Sequence, residues 1–178
     1  MKKIGIKVGM AIISVLIASF VSEIKANAYE ETYINPQYVE YCREIGNGYD
    51  IDYWILVALI EKESSGIPDV ADYYDGTHIG LMQLSIYYFG GEGIDLTDPY
   101  TNIMLGTQYL ASLYEDVNDI GIALMRYHGE ADALTKPLSG YASWIINRAN
   151  ALRRSDLLGK HIVDEGSNKG WKEMMLEQ

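Results

Sequence analysis

The segment Trp54 to Ile60 is almost wholly apolar, and two glutamates close it, Glu61 and Glu63 in the stretch Ala-Leu-Ile-Glu-Lys-Glu-Ser-Ser-Gly from Ala58 to Gly66. Asp52 precedes the segment as a helix cap, and Gly66-Ile67-Pro68 follows it as a stop, which predicts a helix from Tyr53 to about Ser64. Acidic residues at the end of such a helix are either its solvated tip or groups that the helix exists to hold. The rest of the chain has to be organised around the apolar part.

Other punctuation gives more helices. Asn35-Pro36 is a cap followed by a first-turn proline, with Gly46 as a stop, for a helix over about 36–45. Asp98-Pro99 opens a helix reaching about Glu115, Asp119 caps a short one through Tyr127, and Ser139 caps a last one stopping near Gly159. On that last helix Tyr141, Trp144, Ile145, Ala149 and Leu152 recur at helical spacing and read as one packed face. The polar run Pro68 to His78 and the glycines between Gly90 and Gly93 are loops, the latter too loose to cradle a phosphate. Ile79 to Ser85 is short, either a turn with a little strand or a helix start. There is no internal repeat. The fold class is mostly α, with at most a small β element near residues 77–85.

On a wheel of about 100° per residue, Ile55, Leu56, Leu59 and Ile60 gather on one side of the Tyr53–Ser64 helix. Glu63 falls among them and Glu61 on the other side. Glu63 is therefore the carboxylate on the strongest aliphatic stripe, at a helix C-terminus where the dipole disfavours negative charge. Both effects raise its pKa and favour a protonated acid near neutral pH. Cleavage of a glycosidic bond needs such a group, because the leaving oxygen must receive a proton.

The chain opens with Lys2, Lys3 and Lys7, continues uncharged from Val8 to Val21, and offers the small-x-small site Ala26-Asn27-Ala28. That layout predicts a secretory signal peptide, residues 1–28, cut near Ala28. An uncleaved anchor is the alternative. The domain is then 29–178, with a core of about 36–159 and a tail, 160–178, of no assigned role. Losing Lys2, Lys3, Lys7, Lys25 and Glu23 from 14 basic and 25 acidic residues leaves 10 and 24, a formal charge of −14 against −11 for the whole chain. Such a surface repels phosphate backbones, which excludes nucleic acid as a partner. The single cysteine, Cys42, has no partner for an internal disulfide and reads as a small core or boundary residue. His78, His128 and His161 have no metal-ligand spacing, so neither a metal site nor a cofactor is expected.

Four segments occur in order: the Glu63-Ser64 pair, Gly80-Leu81-Met82-Gln83, the Asn102-x-x-x-Gly106-x-x-Tyr109-Leu110 element, and Ala-Leu-Met-Arg-Tyr-His-Gly-Glu from Ala123 to Glu130. Together they resemble the catalytic domain of the soluble lytic transglycosylases, relatives of goose-type lysozyme, over about Val39 to Leu152. The resemblance implies a lysozyme-like helical domain acting on peptidoglycan. It implies Glu63 as the single catalytic acid and Ser64 as the serine beside it. Gly80, Leu81, Met82 and Gln83 would line the cleft opposite, with Met82 and Gln83 contacting substrate. Asn102 and Gly106 match a structural helix under the site. Tyr127 matches a tyrosine whose hydroxyl points to the acid. His128 replaces the family's asparagine and stands with Tyr127 on the substrate side. Ser85-Ile86 replaces the usual Met-Pro.

The implied reaction cleaves the β-1,4 bond between N-acetylmuramic acid and N-acetylglucosamine and closes a 1,6-anhydro ring, for which one carboxylate suffices. A muramidase would use a second, with Asp69, Asp72 and Asp75 as candidates. A non-catalytic glycan-binding domain is the rival from another class. Among the 15 tyrosines, Tyr73, Tyr74, Tyr87 and Tyr88 flank the proposed cleft and offer faces for sugar rings. The expected setting is extracytoplasmic, as a monomer on glycan strands. Cell-envelope machinery for secretion, conjugation or sporulation is the kind of partner such enzymes serve.

Overall fold

The computed structural model describes residues 31–72 and 75–167, with side chains up to Gly159. The signal peptide expected at residues 1–28 lies outside the described residues. The chain divides into two units, Thr32–Asn150 and a second made of Met1–Glu31 with Ala151–Gln178. Among the described residues there are six helices and one two-stranded sheet, a mostly α, lysozyme-like fold. The helices are α1 (Pro36–Gly48), α2 (Tyr53–Ser64), α3 (Ile86–Phe89), α4 (Pro99–Val117), α5 (Ile120–Tyr127) and α6 (Gly140–Ser167). The strands β1 (His78–Ile79) and β2 (Leu84–Ser85) pair antiparallel, His78 opposite Ser85 and Ile79 opposite Leu84. This is the small β element expected near 77–85.

Local caps set most boundaries. Asn35 accepts from Gln37 N at 2.9 Å, Asp52 from Trp54 N at 2.9 Å, Asp98 from Thr101 N at 2.9 Å and Asp119 from Ile122 N at 3.0 Å. Each occupies one of the amide donors that a helix start leaves unpaired. Two ends differ from expectation. Gly46 does not stop α1, which runs on to Gly48. Its place is explained by close approach instead: Ile51 N donates to Gly46 O at 2.9 Å, and a Cβ on Gly46 would lie 2.6 Å from Ile51 O. The last helix passes Gly159 and continues to Ser167.

The wheel reading of α2 is also corrected. Every residue from Trp54 to Glu61 is buried, so α2 is a core helix rather than one with a single apolar stripe. Burying each large side chain stabilises by about 1.5–3 kcal/mol. An unpaired buried carboxylate costs several kcal/mol, enough to cancel two or three of them. Glu61, 3% exposed, therefore has to be paired. α4 buries Asn102, Ile103, Gly106, Thr107, Leu110 and Ala111, a stripe at helical spacing. On α6, Ile145, Ala149 and Leu152 are buried as expected, but Trp144 is 40% exposed and leaves that face. Its ring carries the Lys62 ammonium 5.4 Å from the centroid. Cys42 is fully buried, and burial pushes its thiol pKa far up, so it is an inert core residue.

Candidate active site

Glu61 and Glu63 are two residues apart on α2, so their side chains leave the helix about 200° apart. They meet different surroundings. Glu61 Oε2 accepts from Arg148 Nε at 2.6 Å, and Oε1 accepts from Arg148 Nη2 at 3.2 Å and from the Thr32 hydroxyl at 2.7 Å. Glu63 is half-buried and accepts a short hydrogen bond from the Tyr141 hydroxyl. The Tyr141 ring stacks on His128, with centroids 4.0 Å apart and planes 11° apart.

Burial raises the pKa of Glu63 above the ordinary carboxylate value. The Tyr141 hydrogen bond, and then the charges of His128, Lys62 and His78, oppose the rise without cancelling it. Burial and the Glu63 charge push the Tyr141 phenol well above its usual range, so it stays a donor. Glu63 is thus a carboxyl poised to hold a proton, with a neutral donor fixed on one oxygen.

Beside it is the turn between the strands. Ser64 Oγ lies 2.8 Å from Leu81 O and 3.2 Å from Ile60 O as donor, and accepts from Gly66 N at 3.2 Å. Gly80 has φ +86°, and a Cβ there would lie 2.2 Å from Asn102 Nδ2 and 2.4 Å from Leu96 O, so only glycine fits. The fully buried Asn102 accepts from Met82 N at 2.8 Å and donates to Ile79 O at 3.0 Å and Leu96 O at 2.8 Å. Gln83, at φ 48°, folds back to donate to Gly80 O at 3.0 Å and Val70 O at 3.1 Å.

Several sequence expectations change here. Ser64, Leu81 and Met82 are buried, with Leu81 and Met82 at 0% exposure, so these side chains build the floor and offer no face to a sugar. Met82 packs on Gly106, where a Cβ would meet its sulfur at 2.6 Å. The Tyr127 hydroxyl donates to Met82 O at 2.8 Å, and the hydroxyl on the acid belongs to Tyr141. Tyr141 had the spacing of a packing residue; its polar tip on a helix's first turn was the one hint of another role.

Next to this turn is a cleft of about 560 Å³. Gln83, Tyr127, His78, Tyr88, Phe89 and Tyr109 are among its lining residues. Phe89 packs on Tyr109 (5.5 Å) and Tyr109 on Tyr127 (5.3 Å), a row of rings along one wall. Glu63 does not line this cleft; it stands by Tyr127, whose phenol its charge helps raise, and within electrostatic reach of His78. His128 is exposed beside Tyr141. Tyr88 and Tyr87 are 86% and 77% exposed, and only Tyr88 lines the cleft; Tyr73 and Tyr74 lie outside the described residues.

The three aspartates lie in the loop before β1. Asp69 is exposed. Asp72 accepts from Asp75 N (3.1 Å) and His78 N (2.9 Å), and Asp75 accepts from Thr77 N (3.0 Å). Ligand atoms of Asp72, Asp75 and His78 come within 4.8 Å of one another, a grouping that could take a cation, though the carboxylates already serve to close their loop.

A model of the transglycosylase SLT domain matches residues 40–144. The chain belongs to the transglycosylase SLT domain family. Comparison with curated proteins finds no match. The SLT match runs from within α1 into the first turns of α6 and so includes Glu63, the Gly80–Gln83 turn, Tyr127 and Tyr141, but not Arg148. Members of the family are lytic transglycosylases, with peptidoglycan as substrate.

Proposed function

We propose that this SLT domain cleaves the β-1,4 bond between N-acetylmuramic acid and N-acetylglucosamine, with Glu63 as both acid and base. The observation that carries the reading is the half-buried Glu63 carboxyl, raised in pKa and held by the Tyr141 hydroxyl next to an aromatic-walled cleft. Glu63 gives its proton to the bridging oxygen as the C1–O bond breaks. The muramyl acetamido oxygen closes on C1 and takes up the positive charge. The Glu63 carboxylate then removes the proton from the 6-hydroxyl, and that oxygen attacks C1 and displaces the acetamido oxygen. A 1,6-anhydro ring forms, no water is consumed and Glu63 ends protonated.

One carboxylate acting twice agrees with a site in which Asp69, Asp72 and Asp75 are solvent-facing or occupied with their own loop. Sugar rings would stack on the wall that Tyr88, Phe89 and Tyr109 build. The protein works outside the cytoplasm after losing residues 1–28; mass analysis of exported protein, expected to start at Tyr29, checks this.

Digestion of purified peptidoglycan, with mass analysis of the products, tests the reaction. Wild type releases anhydromuramyl products, and Glu63→Gln loses on the order of a hundredfold or more with its fold intact. Products heavier by one water would make the enzyme a muramidase. Glycan bound equally by both proteins and cut by neither would make it a binding module.

A further inference from the structure

Two side chains of α6 reach the acids of α2, one to each. Tyr141 bonds Glu63, and Arg148 bonds Glu61. Tyr141 and Arg148 are seven residues apart, close to two full turns, so they stand on one face of α6 about 10 Å apart. Glu61 and Glu63, by contrast, leave nearly opposite sides of α2. One face of α6 therefore spans α2, gripping it on both sides at the turn that carries Glu63.

The two grips differ in strength. Tyr141 reaches Glu63 through a single hydroxyl. Arg148 meets a wholly buried carboxylate through two nitrogens, and its own side chain is 16% exposed. A planar guanidinium on a carboxylate fixes distance and angle together, which a lone hydroxyl does not. The N-terminal segment closes over the pair: the Thr32 hydroxyl bonds Glu61 Oε1, and the Tyr33 hydroxyl donates to Glu61 O at 3.2 Å.

We propose that the Arg148–Glu61 pair is a positioning device for the reaction, fixing α6 so that the Tyr141 hydroxyl stays on Glu63 and water stays out. The proposal rests on Glu63 being the acid. Neither Arg148 nor Glu61 touches substrate in this account. The groups facing Glu63 are Tyr141 from α6, His128 and Tyr127 from α5 and its end, His78 from β1 and Lys62 from its own helix. Loosening α6 takes away both the burial that raises the Glu63 pKa and the Tyr141 bond that lowers it. Burial is the larger of the two, so the carboxyl moves back toward its ordinary value.

The test is carbon-13 NMR titration of the Glu63 carboxyl without substrate, in wild type and Arg148→Met, with kcat, KM and Tm measured alongside. Expected are a fall in the Glu63 midpoint and a loss in kcat per folded molecule on the order of tenfold, with KM nearly unchanged. Arg148→Lys keeps a charge but not the two-pronged contact and gives a smaller shift in the same direction. Should Arg148→Met not fold, Arg148→Lys and Thr32→Val carry the test with the same readings. A lowered Tm with an unchanged or raised Glu63 midpoint overturns the proposal, leaving the pair merely structural. Failure of wild type to cut peptidoglycan would instead sink the functional reading, which the substrate-free titration does not depend on.

Discussion

The Tyr141 hydroxyl donates to the Glu63 carboxylate from 78 residues further along the chain. The bond stabilises the charged form of Glu63 and so works against the burial that raises its pKa. Tyr141→Phe keeps the ring, its stack on His128 and the exclusion of water, and removes only the donor. The Glu63 pKa should then rise further. With Glu63 as the proposed acid, the reaction needs it protonated at the start, so the alkaline limb of kcat/KM against pH should move to higher pH. The maximum should fall on the order of tenfold, because the carboxylate formed after proton transfer loses a partner. An alkaline limb that stays in place or moves down would show that the hydroxyl does not act on the acid.

The same carboxyl makes stability depend on pH. Its folded pKa lies above 4.5, the ordinary value for an unfolded chain. Below 4.5 both states hold the proton. As pH rises from there through the folded midpoint, the unfolded chain releases its proton first, and the folded state loses the stabilisation that protonation gave. Glu63→Gln carries no such titration. The Tm of the variant minus that of wild type should grow as pH rises above 4.5 and level off past the folded midpoint. Melting curves across that range check it, and a constant difference would mean that Glu63 titrates alike folded and unfolded.

Where sequence succeeded and failed follows from the range of the forces involved. The bounds of α2 and α5 were readable because Asp52, Asp119 and the Ser65-Gly66 reversal act within two or three residues. The end of α1 was not, since Gly46 is dictated by the close return of Ile51. Glu63 was found through its neighbours in the motif, while the wheel that favoured it misjudged α2, which is buried on every side. Tyr141 and Arg148 were out of reach because their partners are 78 and 87 residues away, and helical spacing reports only that a face is packed. Met82 illustrates the converse: a motif match drew it toward the substrate, whereas packing against Gly106 puts it under the floor.

Asn102 ties that floor together. Its buried amide serves Met82 N, Ile79 O and Leu96 O, three backbone groups on both sides of the Gly80 turn. Asn102→Ala leaves all three without that partner at about 1–3 kcal/mol for each buried group that stays unsatisfied. Partial rearrangement makes a loss of about 3–5 kcal/mol the expected total, measured as a lower urea midpoint at unchanged slope. Asn102→Asp should do no better, because a carboxylate has no N–H for the two carbonyls. A loss below about 1 kcal/mol for Asn102→Ala would mean the turn stands on its other contacts.

Thr107, one residue after the glycine that receives Met82, presents the opposite case. It is fully buried on α4, and among the described residues its hydroxyl has no hydrogen-bond partner. A hydroxyl without a partner in a core carries a desolvation cost of about 1–3 kcal/mol that nothing repays. Thr107→Val has nearly the same shape and exchanges that hydroxyl for a methyl group. Valine is as stiff as threonine in a helix and adopts one rotamer there, so little is lost in ordering it. The variant should therefore be more stable by about 1 kcal/mol, seen as a raised Tm with peptidoglycan cleavage unchanged. Destabilisation by a similar amount would show that the hydroxyl finds a partner in solution, and that the space around it is fitted to oxygen rather than to carbon.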